Sequence, residues 1–97
     1  MTRVVLASAL SRWLPADIAD PSGEAALEVG GETVGEALDA VFVLHPTLRG
    51  YVTDELGNPR HHVAIFLDGS VLPRRNAMQA PLGAQSEIHV LQALSGG

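Results

Sequence analysis

The chain has 97 residues, 46% apolar and 18% charged, which suits one compact domain with a modest core and is too short for two. Eleven acidic residues against six basic ones give a formal charge of −5, which argues against a general nucleic-acid surface, because phosphate binding needs clustered cations. There is no Cys, which excludes disulfides, thiolate metal sites and a cysteine nucleophile. All six cations are Arg, so no lysine amine is present for isopeptide or Schiff-base chemistry.

Met1-Thr2-Arg3 followed by Val4 to Leu10 has the outline of a charged n-region ahead of an Ala7-Ser8-Ala9 cleavage site. The apolar run is at the short end for a signal peptide, Arg12 follows at once, and its removal would cost the domain a strand. We therefore read Arg3 to Leu10 as the first strand. No run approaches the ~20 apolar residues of a membrane span, and a cytoplasmic location is expected. Ser11 to Gly23, with Pro15, Pro21, Asp17, Asp20 and Trp13, reads as a long connection, best taken as a packed surface flap. Glu24 to Val29 then alternates, with Ala25, Leu27 and Val29 on one face, and ends at Gly30-Gly31.

Thr33 and Glu36 make a Thr-x-x-Glu capping box, and Val34, Ala37, Leu38 and Val41 fall at i, i+3, i+4 and i+7, the apolar stripe of a helix. Pro46 disfavours helix at His45, so this helix is predicted to stop near Leu44, with a loose segment from Thr47 to Leu56. After the Gly57-Asn58-Pro59 turn, with His61-His62 at its opening, a half-buried strand places Val63, Ile65 and Leu67 on one face and ends at Asp68-Gly69. Leu72 to Gly83 reads as loop. Glu87 to Leu91 is the last strand, with Ile88 and Val90 on one face and His89 and Leu91 on the other. The order does not alternate as in a doubly wound chain, and points instead to an α+β domain whose mixed sheet is packed on one face by the main helix.

The chain closes on Leu94-Ser95-Gly96-Gly97 directly after the last strand. At ~7% background glycine, two in a row fall at a given place about once in 200. Three pieces carry a resemblance when taken in this order and spacing: the helix start Thr33-Val34-Gly35-Glu36-Ala37-Leu38, the apolar strand closing on Asp68-Gly69, and the terminal Gly96-Gly97. Together they resemble the MoaD/ThiS family of ubiquitin-like sulfur carriers over nearly the whole chain.

The resemblance implies a β-grasp fold, a four- to five-stranded mixed sheet on one main helix. Residues 1–94 would form the domain and residues 95–97 a flexible Gly-Gly tail. It further implies that Gly97 is adenylated by a partner adenylyltransferase resembling ubiquitin-activating enzymes, using ATP held by that partner, and is converted to a thiocarboxylate. A sulfur-accepting synthase would then take the sulfur for cofactor, cysteine or secondary-metabolite biosynthesis. The carrier itself catalyses nothing and binds no cofactor; in one branch of the family it would be the small subunit of an enzyme resembling molybdopterin synthase.

Gly96 and Ser95 are the residues expected to thread a narrow passage, since glycine without a Cβ gives the thinnest backbone. Phe66 and Leu91, on the sheet face away from the helix, and Leu94, where strand becomes tail, are the expected partner contacts. Two other readings stay open: a ubiquitin-like modifier joined through Gly97 to a lysine of another protein, and a non-covalent interaction domain. The tail also departs from the family, with Gln92 and Ala93 where related tails often carry Pro.

Other signals are weaker. His45, His61, His62 and His89 show no metal-ligand spacing, and no serine lies in a Gly-x-Ser-x-Gly elbow. Arg74-Arg75 with Arg60 suits either a solvated loop or contact with an acidic partner surface or with ATP phosphates.

Overall fold

The computed structural model describes residues 1–7, 10, 14, 21 and 23–92. Its elements are β1 (Thr2–Leu6), β2 (Ala25–Val29), α1 (Val34–Leu44), α2 (Thr47–Val52), β3 (Val63–Leu67), β4 (Ser70–Val71) and β5 (Glu87–Gln92), with a 3-10 turn at Ala77–Gln79 before the last strand. The five strands form one sheet in the order β2-β1-β5-β3-β4. β1 runs parallel to β5 and antiparallel to β2, and β3 runs antiparallel to both β5 and β4, so the first and last strands lie side by side at the centre. This is the expected mixed sheet packed on one face by the main helix.

β1 is shorter than the predicted Arg3 to Leu10. Leu6 pairs with Ala25 on one side and Val90 on the other, and Ala25 is the first residue of β2. The strand therefore ends where its neighbour ends, although its own composition would carry it further. Beyond it, the Ala7 carbonyl accepts the Leu10 N–H at 2.8 Å, and Leu10 is fully buried in the core. Of the long connection, Leu14 is buried in the same cluster; Trp13 and most of the proposed flap lie outside the described residues.

α1 begins and ends as its sequence dictates. Thr33 Oγ1 accepts the Glu36 N–H at 3.2 Å, one half of the capping box. The Glu36 carboxylate takes the N–H of Glu32 at 2.9 Å rather than that of Thr33, so it reaches one residue further back than the box prescribes. The Val34 N–H donates to the Ala80 carbonyl and the Leu82 N–H to the Glu32 carbonyl, which ties the segment before β5 to the helix start. Val34, Ala37, Leu38, Val41 and Phe42 are buried, against Val4, Leu6, Ala25, Val29, Ile65, Ile88 and Val90 of the sheet.

A segment expected to be loose is ordered, and a short strand not predicted from the sequence follows β3. Thr47–Val52 is the short helix α2, started by Pro46, whose fixed φ suits a first turn. It is held by Leu48 and Val52, both fully buried one turn apart. After β3, Asp68 and Gly69 both take positive φ (50° and 88°), the geometry of a two-residue hairpin, and Ser70–Val71 returns as β4. His61 and His62 form the turn ahead of β3, which begins at Val63.

Candidate functional site

Alternation along the strands separates two faces of the sheet. Val4, Leu6, Val63, Ile65, Ile88 and Val90 face α1. Arg3 and Val5 of β1, Ala64 and Phe66 of β3, and Glu87, His89 and Leu91 of β5 face away from it. Leu91 stands opposite Ala64, His89 opposite Phe66, and Val71 of β4 opposite Phe66 on its other side. Phe66 and Leu91 are therefore diagonal neighbours on one surface, as the alternation predicted. Ala64 and Val71 complete a small apolar stripe, in which Val71 is 59% and Leu91 37% exposed. Ala64 was legible from the same alternation, whereas Val71 was not, because a two-residue strand carries no period.

The stripe adjoins a charged row. Arg3 Nη1 lies 3.6 Å from Glu87 Oε2, and His89 Nε2 lies 2.5 Å from Glu87 Oε1. An ionised carboxylate only accepts, so His89 donates through Nε2. That hydrogen bond, partly offset by desolvation and assisted by the charges of His89 and Arg3, holds the Glu87 carboxyl below its ordinary value of 4.5. The start of β5 is also pinned through its backbone. The Asp68 carboxylate accepts the Glu87 N–H at 2.8 Å, and the Asp68 N–H donates to the Glu87 carbonyl at 2.9 Å. Ser86 Oγ lies 3.5 Å from the same carboxylate and accepts the Gly83 N–H at 2.7 Å.

β5 is thus fixed at its origin, paired on both sides along its length, and stays in the sheet as far as Gln92, which stands opposite Val63. The chain reaches residue 93 from the edge of the Leu91–Ala64–Phe66 stripe. Leu94, Ser95, Gly96 and Gly97 lie outside the described residues.

A cleft of about 280 Å³ on the other side of the molecule, between α1, α2 and the 3-10 turn, offers no comparable chemistry. Its arginine, Arg49, is paired with Asp39 at 3.3 Å and lies over the Phe42 ring at 4.9 Å. Among the described residues no three His, Cys, Asp or Glu side chains converge as a metal site would require, and no helix is long and apolar enough to cross a membrane.

The sequence matches the ThiS family profile over residues 14–97. It is 31% identical over 85 residues to small archaeal modifier protein 1 of Haloferax volcanii, covering 84% of this chain and 93% of that protein. The fold superposes on the crystal structure of SAMP1 from Haloferax volcanii with a TM-score of 0.69 at 27% identity, covering 99% of this chain and 98% of that one. It also superposes on CysO of Mycobacterium tuberculosis with a TM-score of 0.78, over 97% of this chain and all of that one. At 12% identity the latter likeness shows the shared β-grasp fold alone.

Proposed function

The chain belongs to the ThiS family, and from that membership we propose that it is a sulfur carrier, activated at the C-terminal carboxylate of Gly97 and used as a thiocarboxylate. The observation that carries this reading is that the family match runs through Gly96-Gly97 to the last residue, beyond the final strand of the sheet.

The chemistry follows from what the chain has and lacks. A partner adenylyltransferase joins a carboxylate oxygen of Gly97 to the α-phosphate of ATP and expels pyrophosphate. Sulfide or a partner persulfide then attacks the acyl carbon, and AMP leaves with the carboxylate oxygen; from a persulfide the product is an acyl disulfide, whose S–S bond a second partner thiol attacks to form a partner disulfide and leave the thiocarboxylate on Gly97. The chain has no Cys and no Lys, so the nucleophile that attacks the acyl-adenylate comes from outside the chain. Phe66 and Leu91, with Ala64 and Val71, supply an apolar surface beside the root of the tail for the protein that holds it. Gly96 and Ser95 thread the passage, and Leu94 adds the first contact beyond the strand.

Adenylation is reversible, which provides the test. With the organism's activating enzyme, the chain is expected to promote exchange of labelled pyrophosphate into ATP. A chain shortened by Gly96-Gly97 is expected not to. Exchange supported equally by the shortened chain would remove the proposal.

A second reading is favoured by the 31% identical relative, which is a small modifier protein. The acyl-adenylate is common to both fates, and they part at the nucleophile: sulfide gives a thiocarboxylate, a lysine amine of another protein gives an isopeptide. High-mass conjugates that disappear when Gly97 is deleted mark the second fate.

A further inference from the structure

Half of the chain's six cations gather at one place. Arg74 Nε donates to the Pro59 carbonyl at 2.6 Å, immediately before Arg60, and Arg60 Nε donates to the Gly50 carbonyl at 2.7 Å. Arg75 follows Arg74 and is exposed. The place is the end of the sheet from which β5 departs. The Arg60 carbonyl accepts the Val63 N–H at 3.0 Å, and Val63 stands opposite Gln92, the last residue of β5.

Among the described residues none of these three guanidinium groups has an ion-pair partner; the pairs present are Arg3 with Glu87, Arg49 with Asp39, and His89 with Glu87. Asp54 lies near enough to feel Arg74 and Arg60, but its Oδ1 is engaged by the N–H groups of Leu56 and Asn58. Anchoring Arg60 and Arg74 through Nε fixes the plane of each fork and reduces the rotamer freedom lost when the outer N–H groups bind. In a chain of net charge −5, this is a local inversion of sign.

We propose that Arg60, Arg74 and Arg75 form a docking collar for a carboxylate-rich surface on the activating enzyme, placed around the mouth of the passage that receives the tail. The collar rests on the tail reading given above. Its occupant is protein rather than nucleotide for a reason of reach. Five residues follow Gln92, and an extended chain advances ~3.3–3.6 Å per residue, so a tail threaded in extended form holds its carboxylate roughly 17 Å beyond Gln92. ATP bound at that carboxylate is beyond hydrogen-bond distance, whereas the enzyme surface at the passage mouth is against the arginines.

The charge distribution also sets orientation. Against a carboxylate-rich surface the chain's net charge of −5 repels in most approaches, and within a Debye length of about 8 Å an approach led by the collar is attractive.

The test measures KM and kcat for the chain as substrate of the purified activating enzyme, at low and high salt. Arg75→Glu, which disturbs neither backbone clamp, is expected to raise KM about fivefold or more at low salt with kcat retained, and the difference is expected to shrink at high salt. The triple variant Arg60→Gln, Arg74→Gln, Arg75→Gln is expected to lose about tenfold or more in kcat/KM, with folding checked by circular dichroism. Adding Glu32→Arg to Arg75→Glu restores the net charge at the far end of the sheet, near the residues that follow Val29, which pairs with Thr2 at the start of β1. It is expected not to restore KM.

An Arg75→Glu KM equal to wild type overturns the collar, as does full rescue by Glu32→Arg, which would make the effect one of net charge. Absence of any adenylation of the wild-type chain overturns the tail reading and the collar with it, an outcome distinct from unaltered KM values on a chain that is adenylated.

Discussion

Adjacent glycines at 30 and 31 are expected to respond in opposite ways to alanine. Gly31 has φ +149°, which side-chain-bearing residues rarely adopt, and a Cβ there would lie 2.8 Å from the Ala37 nitrogen and 3.2 Å from both the Ala37 Cα and the Glu36 carbonyl carbon. These are main-chain atoms in the first turns of α1, so no side chain can swing aside. Backbone strain of ~1–3 kcal/mol and a similar overpacking cost put Gly31→Ala at about 3 kcal/mol. For a domain of this size each kcal/mol moves Tm by ~4–8 °C, so the expected fall is roughly 12–24 °C. A Cβ on Gly30 meets nothing within 4 Å, and its φ lies outside the unfavourable range. Gly30→Ala is therefore expected to be neutral or to stabilise by up to about 0.5 kcal/mol through the unfolded chain. Urea and thermal unfolding followed by circular dichroism measure both. Equal midpoints for the two variants would refute the close packing of residue 31 against the helix.

Leu38→Ala removes a side chain only 1% exposed at the centre of the helix–sheet contact, and is expected to cost about 3 kcal/mol in urea unfolding. Thr33→Ala deletes the hydroxyl that caps α1 and is expected to cost about 1 kcal/mol by the same assay. Because the folded-state Glu87 carboxyl titrates below its ordinary value, its contribution to stability is present above pH 4.5 and is lost as pH falls through the lowered value. Glu87→Gln is expected to flatten that part of the curve of urea midpoint against pH. Leu91→Asp, at a position 37% exposed on the outer sheet face, is expected to leave the fold intact while raising KM for adenylation about tenfold, a loss of apolar contact on the order of 1.4 kcal/mol. An unchanged KM would remove Leu91 from the docking surface.

The parts of the fold legible in the sequence were those with a period long enough to count. α1 has four apolar residues in helical register behind Thr33, and β5 alternates over its whole length, so both emerge with their buried faces assigned. Asp68-Gly69 marked the end of β3, but the hairpin through two consecutive positive φ values and the return of β4 were not read from it. What failed was decided by neighbours. α2 has Gly50 and two β-branched residues in six, a poor helix by propensity, and it forms because Leu48 and Val52 are buried together. β1 stops at Leu6 because β2 starts at Ala25. The candidate site follows the same division. Phe66 and Leu91 were placed on the outer face by alternation, and Arg60, Arg74 and Arg75 were grouped from the sequence, whereas the backbone clamps that hold Arg74 on the Pro59 carbonyl and Arg60 on the Gly50 carbonyl join distant segments and carry no sequence signal.

The carboxylate of Gly97 is the group proposed to react, and the intact mass of the chain reads its conversion. After incubation with the organism's activating enzyme, ATP and a sulfide source, one oxygen is expected to be replaced by sulfur, dependent on ATP, mapped to Gly97 and absent from a chain lacking Gly96-Gly97. An unaltered mass in the presence of active enzyme, or the same sulfur gain in the shortened chain, would contradict it.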